Sequence, residues 1–144
     1  MLCLRISTIL KEPGPVPDRM EQLDDVLRVV STPEALAATD FPDDLLVLPL
    51  APDERMVVGM TPFVLPDPHA IVVRDAGWSA RWFDSDDADS LLTTHCPWEP
   101  PSERPSFAQG MVAGLPVKLW QTEERTLVIV PHVFATEFAE RVDR

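Results

Sequence analysis

Apolar residues alternate or cluster in short runs along most of this chain, and polar punctuation separates the runs at regular intervals. Val26 to Val30 is a compact β-branched run and predicts a strand. Ser31-Thr32-Pro33-Glu34 then reads as a helix start, with Ser31 as cap, Pro33 at a first helical position and Glu34 closing a capping box. The helix Glu34–Thr39 is short and stops before Phe41-Pro42, because a residue preceding proline avoids helical backbone. Leu45–Leu50 and Arg55–Gly59 are apolar strands on either side of the turn Ala51-Pro52-Asp53-Glu54, a predicted hairpin.

Thr61 to Pro68 holds three prolines and reads as a connector. Ala70–Arg74 and Trp78–Phe83 are β-rich runs around Asp75-Ala76-Gly77, a second predicted hairpin. In the later run Trp78, Ala80 and Trp82 share one face, and Ser79, Arg81 and Phe83 the other. Asp84 or Ser85 caps a helix through Thr94, with Asp86, Asp87 and Asp89 favourably near its positive end. A Pro-rich loop spans residues 99–106. Gln109–Ala113 and Val117–Gln121 are strands about Gly114-Leu115-Pro116, and Thr126–Val130 is the last strand. Pro131 opens a C-terminal helix in which Phe134, Phe138 and Val142 recur every fourth residue, making an apolar stripe. Glu137 and Arg141 sit at the same spacing in the favourable order.

The order strand–helix–strand–strand therefore occurs twice. Asp53-Glu54-Arg55-Met56-Val57-Val58 also echoes Glu123-Glu124-Arg125-Thr126-Leu127-Val128, each following an apolar strand across a polar turn. The expected fold class is α+β: two such halves forming antiparallel or mixed sheet, with a C-terminal helix. The expected organisation is a flexible Pro-rich tail over residues 1–19, where three prolines fall within five positions, and one domain over residues 20–144; Met20 is an alternative start.

Composition narrows the class. The chain has 144 residues, enough to bury roughly two-thirds of its unfolded surface. A net charge of −12, from 24 acids against 12 Lys and Arg, repels nucleic acid and anionic lipid. No apolar run approaches the roughly 20 residues of a membrane span, and Leu2–Leu10 is broken by Arg5, Ser7 and Thr8, a poor signal core. A cytoplasmic protein is expected. Cys3 and Cys96 define neither a disulfide framework nor a zinc pattern.

Candidate chemistry is sparse. Read as a calcium loop from Asp84, the run Asp84-Ser85-Asp86-Asp87-Ala88-Asp89 places Ala88, Asp89 and His95 where an oxygen ligand, glycine and glutamate belong. An acidic helix start accounts for it better. His95-Cys96 is the adjacent pair with nucleophilic potential, but neighbouring side chains diverge and a thiolate needs its base in space. His69 and His132 flank prolines and share no metal spacing with His95. Five glycines without a phosphate-loop pattern disfavour nucleotide binding. Trp78, Trp82, Trp98 and Trp120 suit core and interface anchoring more than a pterin-stacking platform. No catalytic, cofactor-binding or metal-ligating residue is assigned.

One ordered set of motifs goes further. Ala51-Pro52-Asp53-Glu54 leading into Arg55-Met56-Val57-Val58, then Asp75, Asp86-Asp87-Ala88-Asp89-Ser90-Leu91-Leu92 and Cys96-Pro97-Trp98-Glu99-Pro100, follow one another in a recognisable sequence. Ala108 to Val117 and Val130-Pro131-His132-Val133-Phe134-Ala135 complete it. The whole resembles the gamma subunit of heterotetrameric sarcosine oxidase, over roughly Ala51 to Val142. Glu99-Pro100 stands in place of that family's Asp-Leu, Gly110 in place of Thr, and Val133 in place of Ser.

The resemblance implies the folate-binding fold of the glycine-cleavage T-protein and a non-catalytic accessory subunit. It implies that the chain packs on a large flavoprotein and folate-domain partner in a complex that oxidatively demethylates sarcosine to glycine. FAD, FMN, NAD, tetrahydrofolate and zinc are then implied for the partner subunits and none for this chain. A stand-alone binder of folate or another C1 metabolite is the alternative, and a small enzyme using His95-Cys96 a third possibility.

Overall fold

The computed structural model describes residues 19–143; the expected tail over residues 1–19 lies almost wholly outside them. The described residues form two compact units, Leu23–Ala76 and residues 19–22 with 77–143. Each is built on one antiparallel sheet.

The first unit contains β2 (Val26–Val30), α1 (Pro33–Ala38), β3 (Leu46–Ala51), β4 (Glu54–Val58) and β5 (Ile71–Arg74), with strand order β3-β4-β2-β5. Val29, Leu36, Leu45 and Val57 are buried together, flanked by Phe41, Phe63 and Leu65. Phe41 and Phe63 meet with ring centroids 5.1 Å apart. The expected Ala51–Glu54 hairpin forms between β3 and β4, with an irregularity between Pro49 and Ala51. The α1 cap differs from expectation. Thr32 is the N-cap, its Oγ1 accepting the Ala35 amide at 3.1 Å. Ser31 is instead buried, and its hydroxyl donates to Asp67 Oδ2 at 2.7 Å. A distant carboxylate thus outcompetes the local capping box.

The second unit contains β1 (Glu21–Gln22), β6 (Trp78–Asp84), α2 (Ser85–His95), β7 (Ser106–Val112), β8 (Leu115–Gln121) and β9 (Arg125–Pro131). A 3-10 turn (His132–Phe134) and α3 (Ala135–Val142) follow. Its strand order is β1-β6-β9-β8-β7. Phe83, Leu91, Val112, Val117, Leu119, Val128, Val130 and Phe138 form one buried cluster, with Phe134 and Val142 against it. The three-residue stripe, Phe134 in the 3-10 turn and Phe138 and Val142 in α3, therefore faces a core. Eight residues are too few for an independently stable helix, so Phe138, fully buried, holds α3 in place.

The predicted hairpin between Ala70–Arg74 and Trp78–Phe83 does not form. β5 pairs with β2, and β6 pairs with β1 and β9. The Asp75-Ala76-Gly77 segment links them outside any strand, with Gly77 at a φ of 98°: the Asp75 amide donates to Val26 O at 2.8 Å and Gly77 O accepts the His132 amide at 2.6 Å. Those non-local bonds replace the ones a tight turn would make. The β7–β8 turn also moves. It lies at Ala113-Gly114, both with positive φ (54° and 75°), the backbone of a two-residue hairpin. Leu115-Pro116 therefore belongs to β8. The echo between the halves survives as local structure, since β4 and β9 are each the second strand of a hairpin.

Candidate functional site

Within the second unit, α2 presents Asp87, Ser90, Leu91, Thr94 and His95 along one stripe. This stripe lines a groove of about 340 Å³ with Arg81 and Phe83 of β6 and with Val142 and Asp143 after α3. Positions 87, 90, 91, 94 and 95 have helical spacing, so the stripe follows from the 3.6-residue repeat. Arg81 is its main cation. Its guanidinium stacks on Phe83 at 4.4 Å from the ring centroid, and Nη1 contacts both oxygens of Asp143 at 3.4 Å. That ion pair is long for a charge-assisted bond, which is ordinarily about 2.7–2.9 Å. The groove can receive a small polar ligand.

His95 and Cys96 are indeed divergent. His95 lines the groove, while the Cys96 thiol donates to Trp98 O at 3.1 Å. The backbone binds both residues into the scaffold: Cys96 N–H donates to Leu92 O and Ala113 N–H to His95 O. Trp98 lies against Gly110 and donates its indole N–H to Met111 O at 2.9 Å. It is a packing element of β7 rather than part of a stacking platform.

The other tryptophans are scattered on the sheet. Trp78 lies beneath the Lys118 ammonium, and Trp82 beneath the Arg125 guanidinium, at 4.6 and 4.9 Å. Burial lowers the Arg125 pKa from its ordinary value. Both pairs join next-neighbour or adjacent strands on the face that the alternation Trp78, Ala80, Trp82 defines.

A Ser–His contact was not legible in the sequence. Ser79 Oγ lies 2.7 Å from His132 Nδ1. The residues are 53 positions apart, and only the pairing of β6 with β9 brings them together. Ser79 is 1% exposed, so its hydroxyl is not presented to a substrate; the contact ties the 3-10 turn to β6. The acidic run at Asp84–Asp89 is a helix start, with Asp84 as N-cap and Asp86 and Asp87 in the first turn. Among the described residues no group of three or more His, Cys, Asp or Glu side chains is placed to hold a metal ion. His69 belongs to a polar cluster in the first unit. Its amide donates to Asp67 Oδ1 at 2.8 Å, and the Ser31 hydroxyl, then this amide, hold the Asp67 pKa below its ordinary value.

No described helix is long and apolar enough to cross a membrane. No protein-family model matches the chain. No curated protein matches it. Its architecture of two antiparallel sheets with a C-terminal helix does have a solved counterpart. A chain of heterotetrameric sarcosine oxidase from Corynebacterium sp. U-96, determined in complex with pyrrole 2-carboxylate, superposes with a TM-score of 0.69. The match spans 98% of this chain and 89% of that chain at 16% identity. The fold is therefore that of a sarcosine oxidase chain, and the complex is the one that the motif order from Ala51 to Val142 resembles.

Proposed function

We propose that this chain is a non-catalytic accessory subunit of a sarcosine-oxidase-like complex, packed on a large flavoprotein and folate-domain subunit. The observation that carries the reading is the extent of the fold match, which takes in nearly all of both chains. The motif order supports the same reading independently, because it is a property of the residues and not of the shape. On this reading the sheet architecture is a form of the T-protein-like fold. Oxidative demethylation, with its flavins, NAD, folate and zinc, then belongs to the partners.

The test is co-expression with a large flavoprotein and folate-domain subunit of a sarcosine-oxidase-like complex. The chain should co-purify in a fixed ratio. Alone it should carry no flavin and show no oxidase activity with sarcosine or related N-methyl amines. Turnover by the isolated chain, abolished by Cys96→Ser or His95→Ala, would overturn the proposal. The groove beside Arg81 supports a second reading, a stand-alone binder of folate or another C1 metabolite. Tight tetrahydrofolate binding by the isolated chain, lost in Arg81→Ala, would put that reading first.

A further inference from the structure

The two edges of the first unit's sheet are unlike. β3 carries Pro49 and a register irregularity, both of which blunt an edge against further pairing. β5, the opposite edge, reads Ile71-Val72-Val73-Arg74 and has neither device. Its three β-branched residues are 56%, 44% and 50% exposed, on both faces of the strand. Among the described residues no strand pairs with the outer side of β5, and a natural sheet seldom leaves such an edge open unless something pairs with it.

The phase of the hydrogen bonds shows which groups are offered. Asp75 N–H donates to Val26 O, and the register continues Leu27↔Arg74, Arg28↔Val73, Val29↔Val72 and Val30↔Ile71. In an antiparallel ladder alternate residues bond inward. Val73 and Ile71 therefore bond to β2, and the backbone groups of Val72 and Arg74 point outward.

The end of this edge adjoins a largely apolar cleft of about 240 Å³, lined by Asp25, Val26, Leu27, Gly59, Met60 and Arg74. Met60, at its rim, is 55% exposed. Asp25 Oδ2 is buried and has no hydrogen-bond partner among the described residues. A buried carboxylate oxygen without a donor is costly, and a cation brought beside it relieves the cost.

We propose that β5 is completed by an extended segment of a different polypeptide, which adds a strand beside β5 through Val72 and Arg74 and places a Lys or Arg side chain against Asp25. A second copy of this chain is the poorer occupant. Each copy carries −12, and the approach of two such chains is repulsive. A segment with alternating apolar residues and a basic end matches both the strand and the cleft. This inference rests on the accessory-subunit reading and names the surface that the large partner grips.

The test is amide hydrogen exchange on the full chain, alone and in the co-purified complex. The Val72 and Arg74 amides should exchange freely alone and slow at least tenfold in the complex. Val72→Pro removes an outward N–H and no inward one; it should weaken the complex more than tenfold. Val72→Lys, a milder edge charge, should do the same if the proline variant fails to fold. Asp25→Asn should weaken the complex and flatten its salt dependence. A complex that forms without slowing these amides overturns the edge-pairing inference and leaves the subunit reading standing. Failure to form any complex overturns both. Slowed exchange in the isolated chain at twice the monomer mass would show that a second copy occupies the edge, and overturns the proposed partner.

Discussion

Phe138→Ala is the sharpest test of how the second unit is held together. Phe138 is 0% exposed and packs with Val112, Leu115, Val128 and Val130, which makes it the anchor of an eight-residue helix. Truncation loses the transfer free energy of a buried ring, about 1.5–3 kcal/mol. It also leaves a cavity. A residual void of roughly 50–100 Å³ at about 24 cal/mol per Å³ adds roughly 1–2.4 kcal/mol. The sum, about 3–5 kcal/mol, lies in the range observed for buried Phe. At roughly 3 °C per kcal/mol for a chain of this size, the melting temperature should fall by about 10 °C or more. Calorimetry and denaturant titration measure this directly, with Val133→Ala, on the same segment and 82% exposed, as the silent control. A Phe138→Ala loss under about 1 kcal/mol would refute the packing argument. It would mean that the stripe of Phe134, Phe138 and Val142 does not anchor the helix.

Four further substitutions probe other links. Gly110→Ala should destabilise by about 1–3 kcal/mol as an overpacked site, because an added Cβ would stand 2.5–2.7 Å from the Trp98 ring; an unchanged denaturation midpoint would show that Trp98 moves aside freely. Thr32→Ala should cost about 1 kcal/mol through loss of the α1 cap, whereas Glu34→Ala should cost little if the box is not the device; the reverse ranking in urea melts would restore the capping-box reading. Ser31→Ala should raise the Asp67 pKa, measured by NMR titration, because the Ser31 hydroxyl is the main group holding it down. The Asp67 contribution to stability is complete above the ordinary value of 3.8 and is lost as pH falls through the lower folded value, so the variant should lose less stability on acidification. An unshifted titration would remove Ser31 from that role.

Much of the local structure could be read in the sequence because it depends on near neighbours. The β-branched run Val26–Val30, the Pro52-Asp53 turn, the alternation about Trp78, Ala80 and Trp82 and the repeat of Phe134, Phe138 and Val142 are set by periods of two or 3.6 residues and by turn chemistry. The acidic α2 start at Asp84–Asp89 and its groove stripe are local in the same sense. The order of motifs from Ala51 to Val142 is also a sequence property, and the complex it resembles is the one in which a chain of this fold occurs.

What the tertiary structure decided was pairing. Asp75-Ala76-Gly77 has the composition of a turn, yet its amide and carbonyl bond to Val26 and His132, so the flanking strands enter different sheets. Ser31 has the spacing of a cap, yet Asp67, 36 residues away, takes its hydroxyl. Ser79 meets His132 and Arg81 meets Asp143 only because β6 and β9 are adjacent and α3 returns beside them. The open β5 edge is likewise invisible in Ile71-Val72-Val73-Arg74, since any β-branched run can lie at the centre or the margin of a sheet. Local patterns state which backbone each segment prefers; they carry no information on which distant donor will satisfy it, and that choice is made by the free energy of the assembled sheet.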